Sequence, residues 1–212
     1  MAPRPSPRAR LHRALLELCF ERGFTRVDLS ALLARADVDR AAFDREFADL
    51  EACFLAVFRA EVGSYRRPPP SPGGWLEHLR ACAYSLYRFL AADRRRARFI
   101  LVDARAAGEP TLLFAGQLIE ELFDLIDAGR QELADPDSLS RATAESIGGG
   151  AFNQLYAILG RGGILPPEAE IVPQLMYCVV LPYLGPAAAL AELGAPPPPI
   201  AAEPRPFDAP RG

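Results

Sequence analysis

The fold is decided by residues 20–47, FERGFTRVDLSALLARADVDRAAFDREF. The segment before them, residues 8–22, carries apolar side chains at helical spacing and reaches Gly23, a residue that commonly follows a helix C-terminus. Asp28 and Asp39 each precede a short apolar-periodic segment, so each is expected to cap the N-terminus of a short helix. Two short helices joined by a tight turn after a longer helix predict a helix-turn-helix head.

Working outward, apolar periodicity predicts helices through the rest of the chain, and no strand-like alternation bounded by turns occurs. The predicted helices beyond the head cover residues 49–66, 75–92, 94–107, 110–133 and 138–159, and a last one from Pro167 that is interrupted at Pro182 and finishes with residues 187–193. The sequence therefore predicts an all-α fold of about nine helices in two clusters.

Proline-rich segments divide the chain. They predict a flexible arm (1–7), a helix-turn-helix domain with its connecting helix (8–66), a linker (67–74), a larger helical domain (75–194) and a disordered tail (195–212).

Composition is that of an ordinary soluble protein: 212 residues, half of them hydrophobic, with a net charge of -3. The N-terminal residues lack an apolar run, so no secretory signal is expected. The most apolar segment, residues 171–190, contains prolines and is interpreted as a buried helix and not a membrane span. We therefore expect a cytoplasmic protein.

Features that would indicate an enzyme or a metal site do not occur in the sequence. The four cysteines are widely spaced in apolar segments and form no CxxC pair, so they are expected to be buried free thiols. Neither histidine belongs to a cysteine or paired-carboxylate motif, and no nucleotide-binding or hydrolase motif is present. We expect no enzymatic activity, no cofactor and no metal.

The head resembles the tetracycline-repressor family of transcriptional regulators. Gly23-Phe24 is similar to that family's Gly-Phe/Tyr pair, Ala36-x-Val38 to its Ala-Gly-Val, and Phe47 to the phenylalanine that closes its recognition helix. The resemblance covers roughly residues 8–193 and includes the helix order of the body. It implies a DNA-binding homodimer whose body binds a small apolar or aromatic effector.

The same comparison reveals departures from the family pattern, and most of them are acidic. Asp28 replaces a threonine or serine, Asp37 the turn glycine, Asp39 a capping serine, Asp44 a phosphate-contacting tyrosine and Glu46 a frequent histidine. Leu50 replaces a lysine. Residues 24–54 contain four arginines and seven acidic residues, which opposes phosphate binding.

Two interpretations of the head follow. In the first, the head binds an operator in double-stranded DNA, with Arg40 and Arg45 on base edges and Arg8, Arg10 and Arg26 on phosphates. The full set of candidate DNA-binding residues is Arg8, Arg10, Arg26, Asp28, Asp39, Arg40, Ala41, Ala42, Asp44 and Arg45. In the second, the head is vestigial, and the protein is a dimeric ligand-binding or interaction module. A continuous acidic face over Asp37, Asp39, Asp44 and Glu46 would favour the second interpretation.

In the body, aromatic and polar side chains at helical spacing are compatible with core packing or with an apolar ligand pocket. The candidate pocket residues are Tyr84, Phe99, Phe114, Gln117, Phe152, Asn153 and Tyr156. The candidate dimer contacts, on the last two long helices, are Ile147, Ala151, Leu155, Ile158, Leu175 and Val179; the alternative is that both helices are internal core. Residues 148–150 are three glycines inside a predicted helix, which indicates close approach of a neighbouring helix or a kink.

Overall fold

The computed structural model describes residues 5–199, and within them the chain forms nine α-helices and no strand. The helices are α1 Pro7–Arg22, α2 Leu29–Ala36, α3 Arg40–Asp44, α4 Leu50–Gly63, α5 Gly74–Ala91, α6 Arg94–Leu101, α7 Glu109–Asp127, α8 Arg141–Gly160 and α9 Glu168–Glu192. The predicted all-α fold is confirmed. Of the predicted arm and tail, residues 1–4 and 200–212 lie outside the described residues.

α4 ends at Gly63, three residues before the predicted end, and two other helices end six residues before theirs. α6 ends at Leu101 and is followed by a 3-10 turn, Asp103–Ala106, in which Asp103 is buried. α7 ends at Asp127 before the 3-10 turn Ala128–Glu132. In that turn a Cβ on Gly129 would lie 2.4 Å from the ring of Trp75. The backbone therefore lies too close to the tryptophan for any residue with a side chain at position 129.

The interruption of α9 lies at Gly185 and not at the predicted Pro182. Gly185 has φ 77° and ψ 177°, a conformation that glycine adopts without a Cβ clash. Because Pro186 follows, the α-helical conformation is already disfavoured at Gly185. Among the described residues α9 is also the one helix long and apolar enough to span a membrane by length and composition, and it contains three prolines.

Contacts divide the chain into two units. The first comprises the residues up to Val62 together with 93–115, and the second comprises residues 63–92 and 116 onward. This division differs from the predicted domains, because residues 93–115 group with the helix-turn-helix head and not with the larger domain.

An aromatic cluster accounts for that grouping. Phe99 of α6 stacks on Phe54 of α4 at a centroid distance of 4.2 Å, and Phe54 contacts Phe24 at 4.5 Å. Phe114 meets Phe58 edge-on at 6.0 Å. Phe54, Phe58 and Phe99 are almost completely buried, so α6 and the start of α7 complete the core of the first unit.

In the second unit, hydrogen bonds and an ion pair add to the packing of the apolar core. The indole Nε1 of Trp75 donates to the carbonyl of Leu125 at 2.8 Å, and Arg80 forms a two-point ion pair with Glu192. Gly148 of α8 is buried, and a Cβ there would lie 2.7 Å from Phe123. The predicted close approach is therefore found at Gly148, whereas Gly149 and Gly150 have open space beside them.

Three of the four cysteines are buried, as predicted: Cys19, Cys53 and Cys82. The prediction is wrong for Cys178, which is exposed on α9. Burial raises the pKa of the Cys53 thiol to about 12, so this thiol is protonated at neutral pH.

Candidate nucleic-acid interface

Both predicted caps of the helix-turn-helix are formed. The carboxylate of Asp28 accepts the Ala31 N–H at 2.8 Å, and that of Asp39 accepts the Ala42 N–H at 2.7 Å. The Ser30 hydroxyl also donates to Asp28, and this bond, with the one from Ala31, lowers the pKa of Asp28. These two acidic departures thus do the work of capping serine or threonine residues.

The turn between α2 and α3 depends on Asp37. Asp37 has φ 52° and ψ 50°, and it is the one non-glycine residue with positive φ among residues 5–199. Aspartate tolerates this left-handed conformation better than most residues do, which explains how the turn forms without the family's glycine.

The remaining acidic departures each pair with an arginine that the sequence assigns to DNA. Asp44 accepts from Nε of Arg40 at 2.7 and 2.9 Å. The carboxylate of Glu46 lies 3.3 Å from Arg8, and that of Asp37 lies 3.3 Å from Arg10, which also donates to the Asp37 carbonyl. The acidic face is therefore interleaved with arginines and is not continuous.

Two predicted DNA-binding arginines differ from these. Arg26 and Arg45 are exposed, and neither forms an ion pair within the described part of the chain. Of the two alanines in the predicted set, both in α3, Ala41 is exposed and Ala42 is buried. The interface residues remain predictions, and the structure brings the arginines and their acidic partners together on the helix-turn-helix.

A buried carboxylate that the sequence analysis missed lies in the same unit. Glu61 of α4 is bonded by His12 of α1 at 2.6 Å and by Arg96 of α6 at 2.7 Å. Burial alone would raise the pKa of Glu61, but these two hydrogen bonds lower it. Its sequence signal was available, because Glu61 lies at helical spacing from Phe54 and Phe58 on the buried face of α4.

Asp103 is a second buried carboxylate that sequence reasoning missed. Its Oδ1 accepts the backbone N–H of Phe24 at 2.9 Å, while Oδ2 has no hydrogen-bond partner and lies 3.9 Å from Nε of Arg98. Burial raises the pKa of Asp103 to about 6, against the lowering effects of the Phe24 N–H and Arg98. No local pattern predicts a contact between residues 79 positions apart.

A surface groove of about 290 Å³ lies in the first unit, outside the predicted ligand pocket. Its lining residues are Ala9, His12, Arg13, Leu16 and Arg95. Within residues 5–199 no group of three His, Cys, Asp or Glu side chains is placed to hold a metal ion.

The predicted pocket residues are distributed over both units. Phe99 and Phe114 belong to the aromatic core of the first unit. In the second unit, Tyr84 is buried, Phe152 and Tyr156 are half-buried, and Gln117 and Asn153 are exposed. The pocket therefore remains a prediction.

The predicted dimer residues also differ in exposure. Ile147, Ala151, Ile158 and Leu175 are half-buried. Leu155 and Val179 are buried within the single chain. The exposed side chains on α9 instead include Cys178 and Leu181.

Comparisons with known proteins give structural matches only. No protein-family model and no curated protein matches the chain. The solved structure of the fatty acid degradation regulator FadR from Bacillus halodurans is 13% identical, with a TM-score of 0.65, and the match covers 86% of this chain and 97% of that one. The flavonoid-responsive regulator FrrA is 22% identical, with a TM-score of 0.55, over 84% of this chain and 95% of that one.

A third match, to apo ActR from Streptomyces coelicolor, has 19% identity and a TM-score of 0.47, covering 92% of each chain. FadR and FrrA are both regulators. The agreement with FadR and FrrA extends over nearly the whole of those proteins. Together with the nine helices and the capped helix-turn-helix, it shows that this chain has the tetracycline-repressor fold.

Proposed function

We propose that the chain is a cytoplasmic, DNA-binding transcriptional regulator of the repressor type, and not an enzyme. The observation that carries this proposal is the exposed surface of the helix-turn-helix, where Arg45 and Arg26 are free of ion pairs within residues 5–199. In a helix-turn-helix the second short helix enters the major groove, and here that helix is α3.

Each arginine has a role that follows from its position. Arg45, at the end of α3, reads a base edge together with Arg40, because a guanidinium forms a two-point bond with guanine. Arg8 and Arg10 contact Glu46 and Asp37, on either side of α3, and Arg26 lies just before α2; these three arginines bind phosphates, which fixes the position of the head on the duplex.

The alternative of a vestigial head predicted a continuous acidic face. Three of its four acids are instead neutralised by arginines, and the fourth, Asp39, caps α3. Such an arrangement keeps cationic groups on the surface that would face DNA, and this supports the DNA-binding proposal.

The test is fluorescence anisotropy with DNA flanking the protein's own gene, at several salt concentrations, with random duplex as the competitor. Arg45→Ala should weaken selective binding by about 1–3 kcal/mol and relax specificity at one base pair. The matched control is Arg13→Ala, which removes an equally exposed arginine outside the predicted interface.

Selective binding that weakens with salt and depends on Arg45 would support the proposal. Equal losses for the two variants would contradict the assigned role of α3. Absence of selective binding, both for this DNA and in a genome-wide site selection with folded protein, would favour the vestigial head.

For the second unit we infer a small apolar effector whose binding changes operator affinity. The hydroxyl of Tyr183 is buried and has no hydrogen-bond partner in the described residues, so it offers a polar contact for a ligand. The ring of Trp75 lies 5.2 Å from the Tyr183 ring and is the single tryptophan of the chain. Its fluorescence should therefore report binding near Tyr183.

A long-chain fatty acid is a suitable first probe, because it is transparent at the wavelengths of tryptophan fluorescence and the structurally similar FadR is a fatty acid degradation regulator. We expect a saturable change in Trp75 emission and release of the DNA at the same probe concentrations. Trp75→Phe should lose the first signal and keep the second. Saturation of neither signal would exclude this class of effector.

We also infer a homodimer formed by α8 and α9. Gly149 and Gly150 have open space beside them, and Cys178 and Leu181 are exposed on α9, so a second copy could approach closely there. Leu181→Glu should shift the sedimentation equilibrium toward monomer. Leu112→Glu, at an exposed leucine of α7, is the control and should leave the dimer intact.

A further inference from the structure

Three carboxylates on the helix-turn-helix occupy arginines that would otherwise bind DNA. Asp44 bonds Arg40 through both carboxylate oxygens, at 2.7 and 2.9 Å. The other two, Glu46 with Arg8 and Asp37 with Arg10, are joined at 3.3 Å. Each acid stands where the family pattern described above has a neutral residue or a histidine.

A carboxylate is a chemical substitute for a phosphate at these arginines. The guanidinium presents a planar fork of N–H groups that fits either anion, and it stays charged at every physiological pH. A DNA phosphate and the paired carboxylate therefore compete for the same donors.

The arginines of the Arg40–Asp44 and Arg8–Glu46 pairs are exposed to solvent and open to exchange, whereas the Arg10 side chain is only 21% exposed. The Arg40 and Asp44 side chains are 64% and 47% exposed, and the Arg8 side chain is 60% exposed. Exposed ion pairs are weak and reversible, so a duplex can displace the carboxylate, but each displacement leaves an acid close to the DNA.

Arg45 differs from the arginines in these pairs. It is exposed on the same surface and has no ion pair within residues 5–199. The free head thus keeps one base-reading arginine available while the arginines assigned to phosphates at its N-terminus, Arg8 and Arg10, are occupied.

We propose that Asp37, Asp44 and Glu46 are specificity-determining residues, which hold Arg10, Arg40 and Arg8 in the free head and so suppress sequence-independent binding to DNA. The proposal rests on the DNA-binding function proposed above. Phosphate contacts supply nearly all of non-specific affinity, whereas base contacts supply selectivity. Because Arg45 stays available for base reading, occupying Arg8, Arg10 and Arg40, whose guanidinium groups all bind phosphate when free, lowers the first more than the second.

The experiment measures binding to random duplex, so it needs no operator. The variants are Asp44→Asn, Glu46→Gln and Asp37→Asn, singly and together, which remove the charge with little change of size. None of them removes a helix N-cap, and asparagine also tolerates the left-handed conformation at position 37. Circular dichroism serves as the control that each variant is folded.

We expect Asp44→Asn and Glu46→Gln to bind random duplex several-fold more tightly at low salt, and Asp37→Asn to gain less, because Arg10 keeps its hydrogen bond to the Asp37 carbonyl. Each freed arginine should steepen the slope of log affinity against log salt by about 0.9, one phosphate's worth of released counterions. Adding Arg40→Ala to Asp44→Asn should abolish that variant's gain, because the gain depends on the released guanidinium.

The matched control is Glu21→Gln. Glu21 forms a two-point pair with Arg35 at 2.8 Å in the same unit, but neither residue belongs to the predicted interface. Its effect measures the change in affinity that follows from net charge alone. If the three interface variants gain no more affinity and slope than Glu21→Gln does, the proposal is overturned.

The outcome is separable from that of the proposed function. If no DNA is bound selectively, yet the interface variants gain salt-dependent affinity for random duplex, the carboxylates hold the arginines and the regulator function fails. If the wild-type protein binds selectively and the variants behave like the control, the function stands and this inference fails.

Discussion

Two arginine–carboxylate pairs of the same chemistry occupy opposite environments in this protein. In the second unit, Arg80 bonds Glu192 with Nε to Oε2 at 2.9 Å, and the Glu192 side chain is 3% exposed. In the helix-turn-helix, Arg40 bonds Asp44 at a similar distance, with both side chains about half exposed or more.

The difference teaches that burial, and not bond geometry, decides what such a pair does. A buried charge that loses its partner cannot return to water, so removing one partner of the Arg80–Glu192 pair should strongly destabilise the fold. An exposed pair exchanges freely with solvent ions, so the Arg40–Asp44 pair should contribute little to stability and leaves Arg40 able to exchange its carboxylate for another anion.

The largest expected effect is in the buried pair. Arg80→Ala should lower the free energy of unfolding by about 3–5 kcal/mol, because Glu192 is left buried and unpaired. Arg88→Ala is the control, since the Arg88–Glu168 pair has similar geometry but is more exposed, and it should cost clearly less. Denaturant unfolding measures both, and equal costs would break the comparison.

The next effect tests a buried carboxylate with an incomplete set of partners. The pKa of Asp103 is raised from 3.8 to about 6, so folding favours the protonated form. The protonated Asp103 side chain contributes fully to the stability of the fold below about pH 4, and this contribution is lost as the pH rises through 6. Between these values, unfolding free energies should show wild type losing about 2–3 kcal/mol relative to Asp103→Asn.

For Glu61 the dependence of stability on pH has the opposite sign from that of Asp103. Its pKa is lowered by His12 and Arg96 despite burial, so its contribution is present at neutral pH and lost as the pH falls through the folded-state pKa. Glu61→Gln should therefore destabilise the protein at neutral pH and less so in acid. The same pH trend for both variants would contradict the assigned partners.

A smaller effect extends the comparison to two glycines of α8. Gly148→Ala should destabilise by about 1–3 kcal/mol, because the new Cβ would meet the Phe123 ring at 2.7 Å. Gly150→Ala has open space and should stabilise the monomeric fold by up to about 1 kcal/mol through helix propensity. Thermal unfolding in dilute solution distinguishes the two signs.

The smallest effect is expected for the exposed pair itself. Asp44→Asn should change the free energy of unfolding by no more than about 0.5 kcal/mol, the usual value for an exposed pair four residues apart on a helix. A loss of several kcal/mol would show that the pair has a structural role and would remove the distinction from Arg80–Glu192.

Much of the fold could be predicted from local sequence. Asp28 and Asp39 cap their helices, Gly23 ends α1, and the nine helices follow apolar periodicity, because capping and periodicity act over a few residues. The interruption of α9 lies three residues beyond the predicted Pro182, because the Gly185-Pro186 step is where the backbone leaves the helical conformation.

The candidate site could be predicted in part. The arginines and acids were identified as opposing groups, but their pairing was not, because Arg8 and Glu46 are 38 positions apart. Glu61 lay within reach of sequence reasoning on the apolar face of α4, whereas Asp103 did not.

The sequence by itself determined the helices, their caps, the left-handed turn at Asp37 and the family resemblance, since these depend on neighbours within a turn or two of helix. Only the tertiary structure decided which charges meet, which carboxylates are buried and which core receives Phe99. Those outcomes depend on contacts between distant segments, where burial changes the energy of a charge by more than any local preference does.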